Sequence, residues 1–135
     1  MNALKFRVLG KDNVWRYGEY PDLDTPDITH RHFNMEILWA TLYRYRRETL
    51  GQGVGAKDKN GEDYFDGDIF KCPDVGTDSG EDIALIFWDN DSLQWYATSE
   101  NYTDELVGWD LDKSEIIGNK WQNPELLKKH RIVVE

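Results

Sequence analysis

IALIFWDNDSLQWYAT, residues 83 to 98, is the stretch that decides the fold. It opens with an unbroken apolar run, Ile83 to Trp88, breaks at Asp89-Asn90-Asp91-Ser92, and returns through Leu93-Gln94-Trp95-Tyr96-Ala97-Thr98. Turn-forming residues between two β-branched and aromatic runs predict an antiparallel hairpin. An even loop sets Trp88 opposite Leu93, Ile86 opposite Trp95 and Ala84 opposite Ala97, so one face is wholly apolar. The other face pairs Phe87 with Gln94 and Leu85 with Tyr96 and is partly apolar. A slip of one residue would turn every side chain over, so the pattern admits only even loops.

The flanking segments extend this reading. Leu4, Phe6 and Val8 alternate with Lys5 and Arg7, as in a half-buried strand facing solvent through its basic residues. Gly10 to Asn13 is a turn, and Val14 to Tyr17 its partner strand. Tyr20 to His32, with Pro21 and Pro26, is a long loop. Met35 to Tyr45 fits a helical face (Met35, Leu38, Trp39, Leu42) and a strand (Ile37, Trp39, Thr41, Tyr43). Its β-branched and aromatic content, without a capping box ahead of it, favours the strand. Gly51, Gly53 and Gly55 exclude a stable helix over 49–55. Leu106 to Trp109 and Glu115 to Gly118 read as short strands. Asn123-Pro124-Glu125-Leu126-Leu127-Lys128-Lys129 predicts a helix, with Asn as N-cap, Pro at the first position and basic residues at the end. Arg131 to Val134 fits a last strand. The expected fold is mainly β, a small barrel or a strongly curved antiparallel sheet, with one short C-terminal helix.

A chain of 135 residues suits one domain, 1–135, within which an N-terminal β part, 1–50, and an acidic part, 51–135, are distinguishable by charge. The first part has 8 basic and 7 acidic residues and the second 8 and 19, which gives +1 and −11 and sums to the net −10. Such an acidic part argues against broad binding to nucleic acid or anionic membrane. The apolar runs are too short to span a bilayer as helices, and no secretory leader is visible. The single cysteine, Cys72, cannot form an internal disulfide, which fits a cytoplasmic setting.

GAKDKNGEDYFDGDIF, residues 55 to 70, concentrates acids around glycines. Asn60-Gly61 predicts a type I′ turn, Asp66-Gly67 a second turn, and Glu62 to Phe65 a short strand between them. A calcium loop starting at Asp58 fails, because its sixth position is Asp63 and its twelfth is Ile69. No Lys in the chain has an acid two residues before it, as the common nuclease pattern requires. Nucleophile elbows and phosphate-binding glycine loops are missing as well. His30 and His32, with Cys72 or His130, lack the spacing of a zinc frame. No catalytic residue, metal site or cofactor is therefore nominated, and the acids read as turn and surface chemistry. The one basic strip, Tyr43-Arg44-Tyr45-Arg46-Arg47, is a candidate for stacking and phosphate contacts or else a solvated strand end.

Three blocks resemble the YopX family of phage and prophage proteins. They are Lys5-Phe6-Arg7-Val8, then Gly55 to Ile69 with Lys57, Asp58, Asn60, Gly61, Gly67 and Asp68, and then Ile117 to Leu127 with Gly118, Asn119, Asn123 and Pro124. The family's blocks are KFRxW-like, TGLKDKNGKEIYEGDIV-like and IGNxxxNPELL-like. The sequence departs from them at Val54, Ala56 and Phe65-Asp66, and residues 20–49 show no resemblance. The resemblance implies a small, mostly β protein made in a bacterial host cytoplasm, with no catalytic residues to carry over. The expected function is a non-enzymatic accessory protein that binds a protein, either another partner or a second copy of itself. A nucleic-acid-binding module, an acidic DNA mimic and a metal-dependent hydrolase are the alternatives.

Overall fold

The computed structural model describes residues 4–20, 45–73, 81–100 and 103–133. Its contacts group into two units, residues 1–53 and 54–135.

In the first unit β1 (Leu4–Gly10) and β2 (Trp15–Tyr20) form the expected antiparallel hairpin, with Leu9 opposite Trp15 and Phe6 opposite Gly18. Asn13 turns the chain at φ 66°, and the Asp12 carboxylate accepts the Val14 N–H at 3.2 Å. The alternation differs from expectation at Arg7, which is only 5% exposed. Its guanidinium lies 4.0 Å from the Trp15 ring centre, so an aromatic face takes the place of water. Val8 and Leu9 are buried beside it. The long strand β3 (Tyr45–Lys57) begins here, antiparallel to β1. Its register jumps from Leu9–Arg46 to Arg7–Gly51, so β3 carries extra residues at a bulge. Buried Thr49 fills the gap. Its hydroxyl accepts the Leu9 N–H at 2.8 Å and donates to the Arg46 carbonyl at 2.6 Å. The expected loop after Tyr20 and the expected strand up to Tyr45 lie otherwise outside the described residues.

In the second unit β4 (Asp63–Phe65) lies beside β3. A five-stranded sheet follows, with β5 (Asp68–Pro73), β6 (Glu81–Asp89), β7 (Gln94–Thr98), β8 (Thr103–Glu105) and β9 (Glu115–Asn119) in the order β8-β7-β6-β5-β9. Every pair in this sheet is antiparallel. One helix, α1 (Pro124–Lys129), closes the chain. The mainly β architecture with a short C-terminal helix is as expected. Of the two sheet forms, the closed barrel is not made: the five-stranded sheet ends at β8 and β9, with a bulge between Ile69 and Phe70 that bends it.

The centre of the sheet, at β5 and inner β6, is buried on both faces, which explains the unbroken apolar run of β6. Ala84, Ile86, Ala97, Phe70 and Cys72 pack on one side with Tyr64 and Trp109. Phe70 meets Tyr64 and Trp109 edge-on, at 5.7 and 5.4 Å between ring centres. Ile69, Leu85 and Ile83 point the other way, where Leu126 and Leu127 of α1, Ile117 and Ile132 cover them.

Five expectations are corrected in this unit. The β6–β7 pairs are Trp88–Trp95, Phe87–Tyr96 and Ile86–Ala97, two residues along from the expected register but on the same faces. The four-residue loop has moved one position, to Asn90–Leu93, because Asp89 caps it. Its carboxylate accepts the Asp91 N–H at 3.1 Å and the Ser92 hydroxyl at 2.9 Å, and Leu93 takes φ 55°. Leu106–Gly108 is a 3₁₀ turn and not a strand, closed by the Trp109 N–H on the Leu106 carbonyl, and it delivers Trp109 into the core. Asn123 makes no side-chain cap to α1; its oxygen accepts the Asn119 N–H at 3.1 Å. Arg131 and Ile132 are the helix stop and not a strand, with Arg131 at φ 54° and the Ile132 and Arg131 N–H groups on the Leu127 and Lys128 carbonyls. Val134 lies outside the described residues. Finally, Asn60-Gly61 is not a type I′ turn: only Gly61 has positive φ, 83°. The Gly61 N–H binds the Asp58 carbonyl and the Asp58 N–H the Glu62 carbonyl, a three-residue loop ending in a left-handed glycine.

Candidate functional site

The family-like blocks are built into one joint. Asp68 pairs with Asn119 and Ile69 with Gly118 across β5 and β9. The Lys120 N–H donates to the Gly67 carbonyl at 2.9 Å, and the Gly67 N–H to the Ile86 carbonyl at 3.0 Å. Gly67 has φ 87°, and any Cβ there would run into the Trp121 ring, so this glycine is required twice over. It stands where the chain leaves β4 in one sheet and enters β5 in the other.

Two acids of this joint are interior groups and not surface decoration. Asp58, 6% exposed, accepts the Asn60 and Glu62 N–H groups, both at 2.9 Å, and across the unit the Ile116 N–H at 3.0 Å. Burial pushes its pKa up, but the three backbone donors and nearby Lys59 outweigh it and hold the carboxyl below its ordinary range. Asp68, 1% exposed, accepts the Phe65 N–H at 2.8 Å. Asn119 accepts the Trp121 and Gln122 N–H groups at 3.1 and 2.9 Å, and the Asn123 oxygen lies close to Gly118. Pro124 starts α1, and Lys57 makes an exposed 3.0 Å pair with Asp63. The Tyr64 hydroxyl donates to the Leu111 carbonyl at 2.7 Å; burial, then the charge of Asp58, pushes its pKa up. Apart from the exposed Lys57–Asp63 pair, these groups are held by one another or by backbone.

The open feature is on the other side of the same unit. α1 covers the β5, β9 and inner β6 part of its sheet face. Beyond the helix end that face continues over β6, β7 and β8 as a groove of about 1080 Å³. Its floor is Phe87 stacked on Tyr96, with ring centres 5.9 Å apart and planes 20° from parallel, continued by Leu85, Thr98 and Thr103. Trp88, 40% exposed and edge-on to Trp95 at 5.2 Å, stands with Asp89, Asn90 and Asp91 at the turn end. The opposite wall is Lys120, Arg131 and Val133, with Asp66, Ser99 and Glu100 completing the rim. Both rim cations are engaged: Arg131 pairs with Glu100 at 3.2 Å, and Lys120 lies 4.8 Å from the Trp121 ring centre. Phe87 and Tyr96 lie past the part of the face that α1 covers and stay half-buried, a combination that sequence periodicity does not single out.

Of the basic strip, only the Arg46 side chain is described. Tyr43 and Arg44 lie outside the described residues, Tyr45 opens β3, and Arg46 pairs with Glu48 at 3.0 Å. Arg47 follows on β3. His30 and His32 also lie outside. Cys72 is buried in the first core cluster, whereas His130 ends α1 on the opposite face. Among the described residues no three His, Cys, Asp or Glu side chains are placed to hold a metal, and no helix is long and apolar enough to cross a membrane.

No curated protein matches the chain. The family model described as YopX protein matches residues 5–128, a span that takes in β1, the Gly67–Trp121 joint and most of α1. With nearly the whole chain matched, and with the matched motifs packed into one joint, the protein belongs to the YopX family.

Proposed function

We propose that the protein is a non-enzymatic accessory protein of a phage or prophage, made in the host cytoplasm, and that it works by binding another protein through the groove over Phe87 and Tyr96. The observation that carries this is the stacked aromatic pair left half-buried on a face that α1 covers only over β5, β9 and inner β6. Aromatic side chains at the centre of a patch with a polar rim are the composition of protein contact faces. Folding needs no such opening, since extending the apolar cover of α1 over the pair would bury more area. The acids on the rim oppose phosphate, so the groove does not favour a nucleic acid.

The test is a photoreactive residue placed at Asn90, on the rim, in the full chain expressed in a bacterial host. One discrete cross-linked protein is expected, lost when Tyr96→Ala is added and retained when the control Asp112→Asn is added. Melting curves establish that both variants are folded. No discrete product, or one indifferent to Tyr96→Ala, rejects the reading.

A further inference from the structure

We infer that the groove takes an extended segment of a partner protein that carries arginine or lysine among apolar residues, seated with its cation over the Phe87–Tyr96 pair and against the Asp89–Asp91 turn. The inference rests on the protein-binding reading and specifies its partner. Charge complementarity selects the occupant. The rim carries four acids, Asp66, Asp89, Asp91 and Glu100, against Lys120 and Arg131. One base is paired with Glu100 and the other lies over Trp121, so neither neutralises the turn end.

At that end the Asp89 carboxylate is already bound within the turn, while Asp91 is exposed. Beside them lies the face of an aromatic pair, which attracts a guanidinium or ammonium held within about 6 Å of a ring centre. Carboxylates and ring faces so arranged suit a flat cation with an apolar stem. The surrounding unit adds a field of the same sign, with 8 bases and 19 acids over residues 54–135, a net of −11. That field raises the encounter rate of a basic segment and repels an acidic one.

The experiment titrates the full chain into labelled short peptides alternating leucine with arginine, glutamine or glutamate, followed by fluorescence anisotropy. The arginine peptide is expected to bind, more weakly as NaCl is added, and the glutamate peptide not to bind. Asp91→Lys should raise the Kd of the arginine peptide by roughly fivefold or more. Asp112→Lys, an equal charge change on the exposed 3₁₀ turn Leu111–Lys113 and outside the groove lining, should change it by less than about twofold. Equal weakening by Asp91→Lys and Asp112→Lys would mean diffuse attraction and overturn the seating. Binding of the glutamine peptide as tight as the arginine peptide would overturn the cationic partner while leaving a protein-binding groove. No binding of the arginine peptide overturns the inference outright. The Asn90 cross-link reports on the groove independently of these peptides.

Discussion

At the scale of single residues, Asp58 concentrates the most structure in one group. It ties its own turn and the start of β9 together through three backbone N–H groups. Because the folded carboxyl sits below its ordinary value near 3.8, its stabilisation is full above that pH and is lost as pH falls through the lower folded value. Asp58→Asn replaces the charge-assisted acceptor with a neutral one and should cost about 1–3 kcal/mol at pH 7. The wild type's advantage should then shrink as the pH is taken below 3.8, which urea unfolding at a series of pH values measures. An advantage constant down to the most acidic pH would exclude the linkage. Gly61 is a simpler case. Its φ is 83° and nothing lies near a built Cβ, so Gly61→Val isolates backbone strain, expected at about 1–2 kcal/mol in the same assay. An unchanged stability would contradict a left-handed requirement there.

At the scale of elements, the end of α1 shows how a strong local rule can be satisfied by an unexpected residue. The Ile132 N–H on the Leu127 carbonyl and the Arg131 N–H on the Lys128 carbonyl form the paired helix stop that normally carries glycine at its left-handed position. Here that position is Arg131, at φ 54°, and the stop is completed by Ile132 packing in the same cluster as Leu127. Arg131→Gly should therefore stabilise the protein by about 0.5–1 kcal/mol. The exposed 3.2 Å pair with Glu100 that it removes offsets little of this. A fall in melting temperature would show that the pair outweighs the strain. The same residue explains why the segment reads as a strand in sequence: without glycine, Arg-Ile-Val-Val carries only β propensity. The β6–β7 hairpin was legible for the opposite reason. Its period of two set which side chains share a face, but a shift of two residues leaves that pattern intact. Only the Asp89 cap distinguishes the two registers, and that is a local hydrogen bond. Leu106 to Trp109 misleads in another way, because Trp109 reaches the core through a turn that tertiary packing alone rewards. The groove was the least legible feature. Phe87 and Tyr96 are ordinary strand aromatics in sequence, and what opens them is where the helix ends.

At the scale of the whole molecule, the two units differ in charge, and the described apolar clusters fall in one of them. Among the described residues both apolar clusters, with Tyr64, Phe70, Ile86 and Trp109 in one and Ile69, Leu85 and Ile132 in the other, consist entirely of residues from 54–135. The joint at Gly67 and the hydrogen bonds of Asp58 also begin and end within that unit. Residues 54–135 therefore hold a complete hydrophobic core, both clamping carboxylates and the groove, and should fold as a separate fragment with cooperative unfolding. The same span carries the net −11, and its exposed pairs, such as Lys57–Asp63 at 3.0 Å, are too weak to offset the mutual repulsion of 19 acids. Screening that repulsion should outweigh screening those pairs, so the fragment should melt higher in added NaCl at neutral pH, at salt levels where the Debye length falls below about 10 Å. Circular dichroism melts of the 54–135 fragment across a NaCl series test both statements together. A broad, non-cooperative transition would show that the first unit is needed to complete the core. A cooperative melt that drops with salt would show that the pairs, and not the net charge, dominate the surface energetics.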